Sequence, residues 1–135
     1  MMQTILLFAI IKWVHSFCLN YTISDSPGIL STAFSPDQST LAIPHTSGTA
    51  TFWDKNTKAL KYTYLFGGWM DRISYSKNGK YIALTGAQSA IPILNSTTYA
   101  VITTINTTNL GSLIYAADFR YDDNMLLVCG NTSIV

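Results

Sequence analysis

Glutamate is absent from this chain of 135 residues, so its whole negative charge rests on seven aspartates. Charge of either sign is scarce, at 11% of residues with a formal net charge of +1, against roughly 25% in an ordinary soluble domain. There is no basic run; the densest group is Lys55, Lys58 and Lys61. Counterion-release binding to a nucleic-acid backbone needs clustered Lys and Arg, so no nucleic acid is expected among the partners. Cysteine is limited to Cys18 and Cys129, near opposite ends, which excludes a disulfide framework and a C-x-x-C site. Histidine is limited to His15 and His45, with no second ligand at metal spacing, so neither a metal nor another cofactor is expected. No apolar run approaches the ~20 residues that span a bilayer. The nucleophile-elbow and phosphate-loop motifs G-x-S-x-G, G-x-G-x-x-G and G-K-[ST] are missing too. Asp37, Asp122 and Asp123 sit in turn-like contexts, where Asp bonds its own backbone, and no two carboxylates can be placed facing one pocket as acid/base catalysis requires. The chain is not expected to be an enzyme.

What the chain does have is a repeat. Ala33-Phe34-Ser35-Pro36-Asp37 reads as the end of a strand followed by a turn, and so do Ser74-Tyr75-Ser76-Lys77-Asn78-Gly79 and Asp118-Phe119-Arg120-Tyr121-Asp122-Asp123. The aromatic positions 34, 75 and 119 lie 41 and 44 apart. An apolar run follows each turn: Thr40-Leu41-Ala42-Ile43, Tyr81-Ile82-Ala83-Leu84 and Met125-Leu126-Leu127-Val128. A second landmark keeps step, since Trp53 and Leu94 each stand 19 residues after the first. A third run closes each repeat. In residues 60–66, Leu60, Tyr62, Tyr64 and Phe66 alternate on one face, the period of a half-exposed strand. Residues 99–105 are rich in β-branched side chains, which suit a pleated surface. Each repeat therefore carries about four short strands separated by turn residues, which predicts a sheet-rich repeat protein.

Residues 28–60 resemble a WD-40 repeat: Ser35-Pro36-Asp37 matches the family's turn and Trp53-Asp54 its Trp-Asp dipeptide, at about 40–45 residues per blade. The resemblance extends over residues 24–135, more weakly in the second and third repeats. It implies an all-β fold, a partial β-propeller of four-stranded antiparallel blades. About three blades are expected (24–66, 67–106 and a truncated 107–135), too few to close a ring. The sequence also departs from the family. Gly67-Gly68-Trp69 keeps the glycine but not the histidine of the family's Gly-His, which feeds a hydrogen-bond network to the Trp. Leu94-Asn95 replaces Trp-Asp, and Pro92 falls in a central strand, where it removes a ladder donor and predicts a bulge or local break.

The function implied is a protein-interaction scaffold that presents rim loops to a protein partner. The candidate binding residues are Trp69, Met70, Asp71 and Arg72, in a rim connection, with His45 exposed in a neighbouring loop; Trp, Met and Arg are enriched at interfaces. The other reading of Trp69 is that it folds back to fill the blade. Two further functions stay open: a secreted or cell-surface adhesive or glycan-binding propeller, and a fragment of a propeller-type enzyme. Residues 1–23 read either as outer strands of a preceding blade, with Trp13 in register with Trp53, or as a signal peptide built on the apolar run 5–11. Cytoplasmic and secreted locations both remain open. Four N-x-[ST] sequons begin at Asn20, Asn95, Asn106 and Asn131. Open blade edges invite another chain, so self-assembly or further blades are expected to complete the ring.

Overall fold

The computed structural model describes residues 28–131. Both readings of residues 1–23, together with His15, Cys18 and the Asn20 sequon, lie outside the described residues. Among the described residues ten strands run in chain order: β1 (Ala33–Phe34), β2 (Thr40–Pro44), β3 (Thr49–Asp54), β4 (Leu60–Leu65), β5 (Met70–Tyr75), β6 (Tyr81–Gly86), β7 (Ala90–Asn95), β8 (Val101–Asn106), β9 (Ile114–Phe119) and β10 (Leu126–Gly130). They form three antiparallel sheets of consecutive strands, β1-β2-β3-β4, β5-β6-β7-β8 and β9-β10. These are two four-stranded propeller blades and the first two strands of a third. The ring is not closed.

Two kinds of turn, repeated from blade to blade, set the strand lengths. In the first turn of each blade the N–H of the fourth residue donates to the carbonyl of the first: Gln38 to Ser35 at 2.8 Å, Gly79 to Ser76 at 3.0 Å and Asp123 to Arg120 at 2.9 Å. That fourth residue has positive φ in all three (58°, 73° and 60°), and it lets the turn close a four-residue hairpin loop between the paired positions 35/40, 76/81 and 120/125. Ser35 and Ser76 reinforce it, each accepting on Oγ the backbone N–H five residues on, at 2.9 Å.

The second kind of turn explains why Leu94-Asn95 can replace Trp53-Asp54. Asp54 Oδ1 accepts the N–H groups of Asn56 and Thr57 at 2.9 and 2.8 Å. Asn95 Oδ1 accepts those of Thr97 and Thr98 at 2.8 and 3.0 Å. An amide oxygen serves as well as a carboxylate here, because the turn needs only a short side-chain acceptor.

Blades stack face to face. The first seam holds Ala42, Ala50, Phe52, Phe66, Met70, Ile73, Ile82, Leu84, Leu94 and Tyr99, and the second holds Ala83, Ile91, Ile93, Leu110, Ile114, Ala117 and Val128. Tyr99 leaves the second blade from a turn position with φ 58°, uncommon for a bulky residue. Its ring lies 4.7 Å from that of Phe52 and stacks at 4.8 Å on Tyr62, so contact across the seam offsets the backbone cost. The alternation read along residues 60–66 holds in part: Phe66, just past β4, is buried and Tyr64 packs on the seam, but Leu60 and Tyr62 of the same face are exposed, as are Lys61, Thr63 and Leu65, because β4 is the outermost strand of its sheet.

Pro92 has the local effect expected of it. The β2–β3 ladder holds five residue pairs, but the β6–β7 ladder stops after three, at Ala83↔Ile93. β7 nevertheless runs on through Pro92, which pairs with Thr104 of β8.

The third sheet keeps a bare face. Ala42, Ala83 and Leu127 stand at equivalent places, eight residues after the aromatics at 34, 75 and 119. The following blade buries the first two to 0% and 1% exposure, whereas Leu127 is 60% exposed.

Candidate partner-binding rim

At one end of the strands, backbone hydrogen bonds tie the inter-strand connections of neighbouring blades into a single surface. Phe66 and Gly67 donate to the Gly48 carbonyl at 2.9 and 3.2 Å, Met70 donates to His45 O at 3.4 Å, and Ala87 donates to Trp69 O at 2.7 Å. Gln88 Nε2 also donates to the Phe66 carbonyl. The connection 66–69 is thus held from both sides. Gly86 makes this close approach possible, since a Cβ there would meet Trp69 O at 2.1 Å.

The structure divides the expected site residues. Trp69 is 48% exposed and Arg72 is exposed, while Asp71 is partly buried and accepts the Ser31 hydroxyl on its backbone oxygen at 2.8 Å. Met70 is not a surface residue: it is 0% exposed in the first seam. A register shift between Met70 and Arg72 accounts for this: it breaks the alternation along β5 and lets Met70 and Ile73, three positions apart, both point inward. The expectation of Met70 as a contact residue is therefore corrected.

His45 is corrected too. It is fully buried, not exposed in a loop. Its Nε2 lies 2.9 Å from Thr51 Oγ1, and the same hydroxyl accepts the Trp53 indole N–H at 3.0 Å. The histidine missing from Gly67-Gly68-Trp69 has a counterpart here, supplied by the β2–β3 connection of the same blade. In the second blade the three corresponding positions are Gly86, Pro92 and Leu94. The network is lost there as a unit, and an apolar Leu94, fully buried, takes the place of the indole. Ser35, Pro36, Asp37, Trp53 and Asp54 occupy the turns and strand that the sequence motif indicates.

The opposite end of the strands holds a feature the sequence did not disclose. A cavity of about 420 Å³ opens between the first and second blades, lined by residues that include Pro36, Asp37, Lys61, Tyr75, Gly79 and Thr97. The Asp37 carboxyl is held below the usual carboxylate range by hydrogen bonds from Ser35 and Ser39. Burial raises the Tyr75 phenol above its ordinary value. Its hydroxyl is buried with no hydrogen-bond partner among the described residues. The residues named come from two strands and three turns, so only the assembled seam brings them together. Among the described residues no group of three His, Cys, Asp or Glu is placed to hold a metal ion, and no helix is long and apolar enough to cross a membrane.

No family model matches the sequence, and no curated protein matches it either. Solved structures do. The Cps50 (Swd1) β-propeller domain of Myceliophteria thermophila aligns over 82% of this chain and 35% of its own, at TM-score 0.71 and 15% identity. Hydrazine synthase of Kuenenia stuttgartiensis aligns over 85% of this chain and 33% of its own, at TM-score 0.69 and 19% identity. At these identities the likeness concerns the fold alone. That fold is the β-propeller, and the chain spans about a third of the length of either structure.

Proposed function

We propose that the chain is a protein-binding module, a non-catalytic propeller segment that meets its partner through the rim built on residues 66–72. The observation that carries this reading is Trp69. Its indole is half exposed on a connection fixed by backbone bonds to both neighbouring connections, and the next residue, Met70, is anchored in the core. A large amphipathic ring on a rigid base loses little conformational freedom on binding, which is why Trp and Arg recur among the residues that dominate interface energies. Arg72, exposed two positions on, supplies a charged neighbour. Propellers commonly serve as interaction platforms, in keeping with the reading.

The test is affinity capture with the wild-type chain, Trp69→Ala and Arg72→Ala, each checked for unchanged far-ultraviolet circular dichroism. Proteins retained by the wild type should be lost with Trp69→Ala and reduced with Arg72→Ala. Equal retention by all three would refute the assignment. Loss of the fold in Trp69→Ala would make the indole a packing residue instead.

A further inference from the structure

The seam between the second and third blades is closed at its hairpin-turn end by a carboxylate. Asp123, the fourth residue of the β9–β10 turn, accepts the Lys77 N–H on Oδ1 at 2.6 Å and the Asn78 N–H on Oδ2 at 2.8 Å. Lys77 and Asn78 are the second and third residues of the β5–β6 turn. One seam earlier the corresponding residues are Gly79, which has no side chain, and Pro36 and Asp37, of which only Asp37 has an N–H. Gly79 faces the preceding turn as Asp123 does: a Cβ placed on it would stand 3.7 Å from Pro36 Cδ. Where the second seam has its carboxylate, the first has the cavity.

That cavity offers donors. Lys61 Nζ donates to Thr40 Oγ1 at 2.9 Å, which leaves two N–H bonds of the ammonium for another acceptor. The buried Tyr75 hydroxyl is unpartnered, and a buried polar group left unpaired is costly. Asp37 does not compete strongly as a ligand group. Its carboxylate already accepts the Ser35 hydroxyl at 2.5 Å, the Ser39 N–H at 3.0 Å and the Ser39 hydroxyl at 2.9 Å.

We propose that this cavity binds the carboxylate of an acidic peptide side chain, seated where the Asp123 carboxylate sits one seam on. The Asp37 N–H, the Lys61 ammonium and the Tyr75 hydroxyl are the donors. The site lies at the end of β5 opposite Trp69, so it stands or falls independently of the rim.

The experiment is a titration of the isotope-labelled full chain with N-acetyl-glutamate N-methylamide and, in parallel, with the glutamine counterpart, followed through backbone amide resonances. The glutamate probe should shift the Asp37 amide saturably. The glutamine probe should bind about tenfold more weakly, the scale of one lost charge-assisted hydrogen bond. Lys61→Met and Tyr75→Phe should each weaken the glutamate probe. Gly79→Asp should abolish its binding, because that position already has the φ that Asp123 adopts and its new carboxylate would occupy the site from within. Equal binding of the two probes would make this a neutral polar pocket and overturn the proposal. An unmoved Asp37 amide, or a Gly79→Asp chain that binds like wild type, would overturn it as well. Should Lys61→Met lose its dispersed spectrum, Gly79→Asp and Tyr75→Phe still decide the matter.

Discussion

Replacing Thr51 by Val keeps the shape of the side chain and removes one hydroxyl. In the folded protein that hydroxyl stands 2.9 Å from His45 Nε2 and 3.0 Å from Trp53 Nε1. His45 is completely buried, so its ring nitrogen has no water to turn to, whereas Trp53 is partly exposed. A buried polar atom stripped of its partner costs about 1–3 kcal/mol. A total stability of about 5–15 kcal/mol is usual for a small domain, so the loss is a sizeable share. With a urea slope of roughly 1–3 kcal/mol per molar for a chain of this size, the unfolding midpoint should fall by about 1 M. His45→Leu, which removes one buried partner of that hydroxyl and leaves it the Trp53 N–H, should cost a similar amount or less. Because replacing both members of a pair by apolar groups is far cheaper than orphaning one, the double variant should lose less than the sum of the single losses. A coupling of about 0.5–3 kcal/mol is the range for groups in direct contact. The second blade already carries the apolar solution in Leu94. Urea melts monitored by tryptophan fluorescence and circular dichroism give all three numbers. Strictly additive losses would refute the view that His45, Thr51 and Trp53 act as one network.

Three other outcomes follow from the same structure. The Asp122 carboxyl is lowered to about 2 by its hydrogen bonds from Arg120, so its folded value lies below the ordinary ~3.9 of an unfolded chain. A depressed value means the stability it contributes is present above about pH 4 and lost as pH falls toward 2, and Asp122→Asn should flatten the decline of the urea midpoint over that interval. Leu127→Ser should leave the melting temperature nearly unchanged in thermal circular dichroism, since the side chain is largely exposed. Ala83→Leu, at the equivalent but buried position, should destabilise by about 1–3 kcal/mol through overpacking, measured by urea unfolding. If the two substitutions behave alike, the blade-to-blade equivalence of these positions is wrong.

Much of the architecture was legible because propeller blades repeat local chemistry at fixed spacing. Ser35-Pro36-Asp37 marks a hairpin turn by residue type alone, and the constant offset from aromatic to Trp53 or Leu94 places β3 and β7. Asn95 in place of Asp54 looked like a departure, yet both side chains provide the one acceptor their turn needs. The site was less legible. His45 follows a proline and precedes Thr46-Ser47-Gly48, a local pattern that says exposed loop. Its burial is decided by neighbours brought across by the β2–β3 hairpin and by the stacked blade. The signal was there in part, because the Pro44↔Ala50 pairing sets His45 near Thr51. Met70 was misplaced for a different reason. The register shift between Met70 and Arg72 cannot be seen from alternation, and it turns Met70 inward while Trp69 stays out. The cavity beside Tyr75 depends on a carboxylate missing at Gly79, which has meaning only once Asp123 is seen holding the next turn.

The most direct test of the rim as the binding surface is site-specific photo-crosslinking in the full chain. A benzophenone side chain is placed in turn at position 69 and at position 58, an exposed turn on the opposite end of the blades, and irradiated with the captured partner. Crosslinks at 69 and none at 58 are the expected result. Crosslinks at 58 with position 69 silent would contradict the assignment and move the binding surface to the other end of the blades.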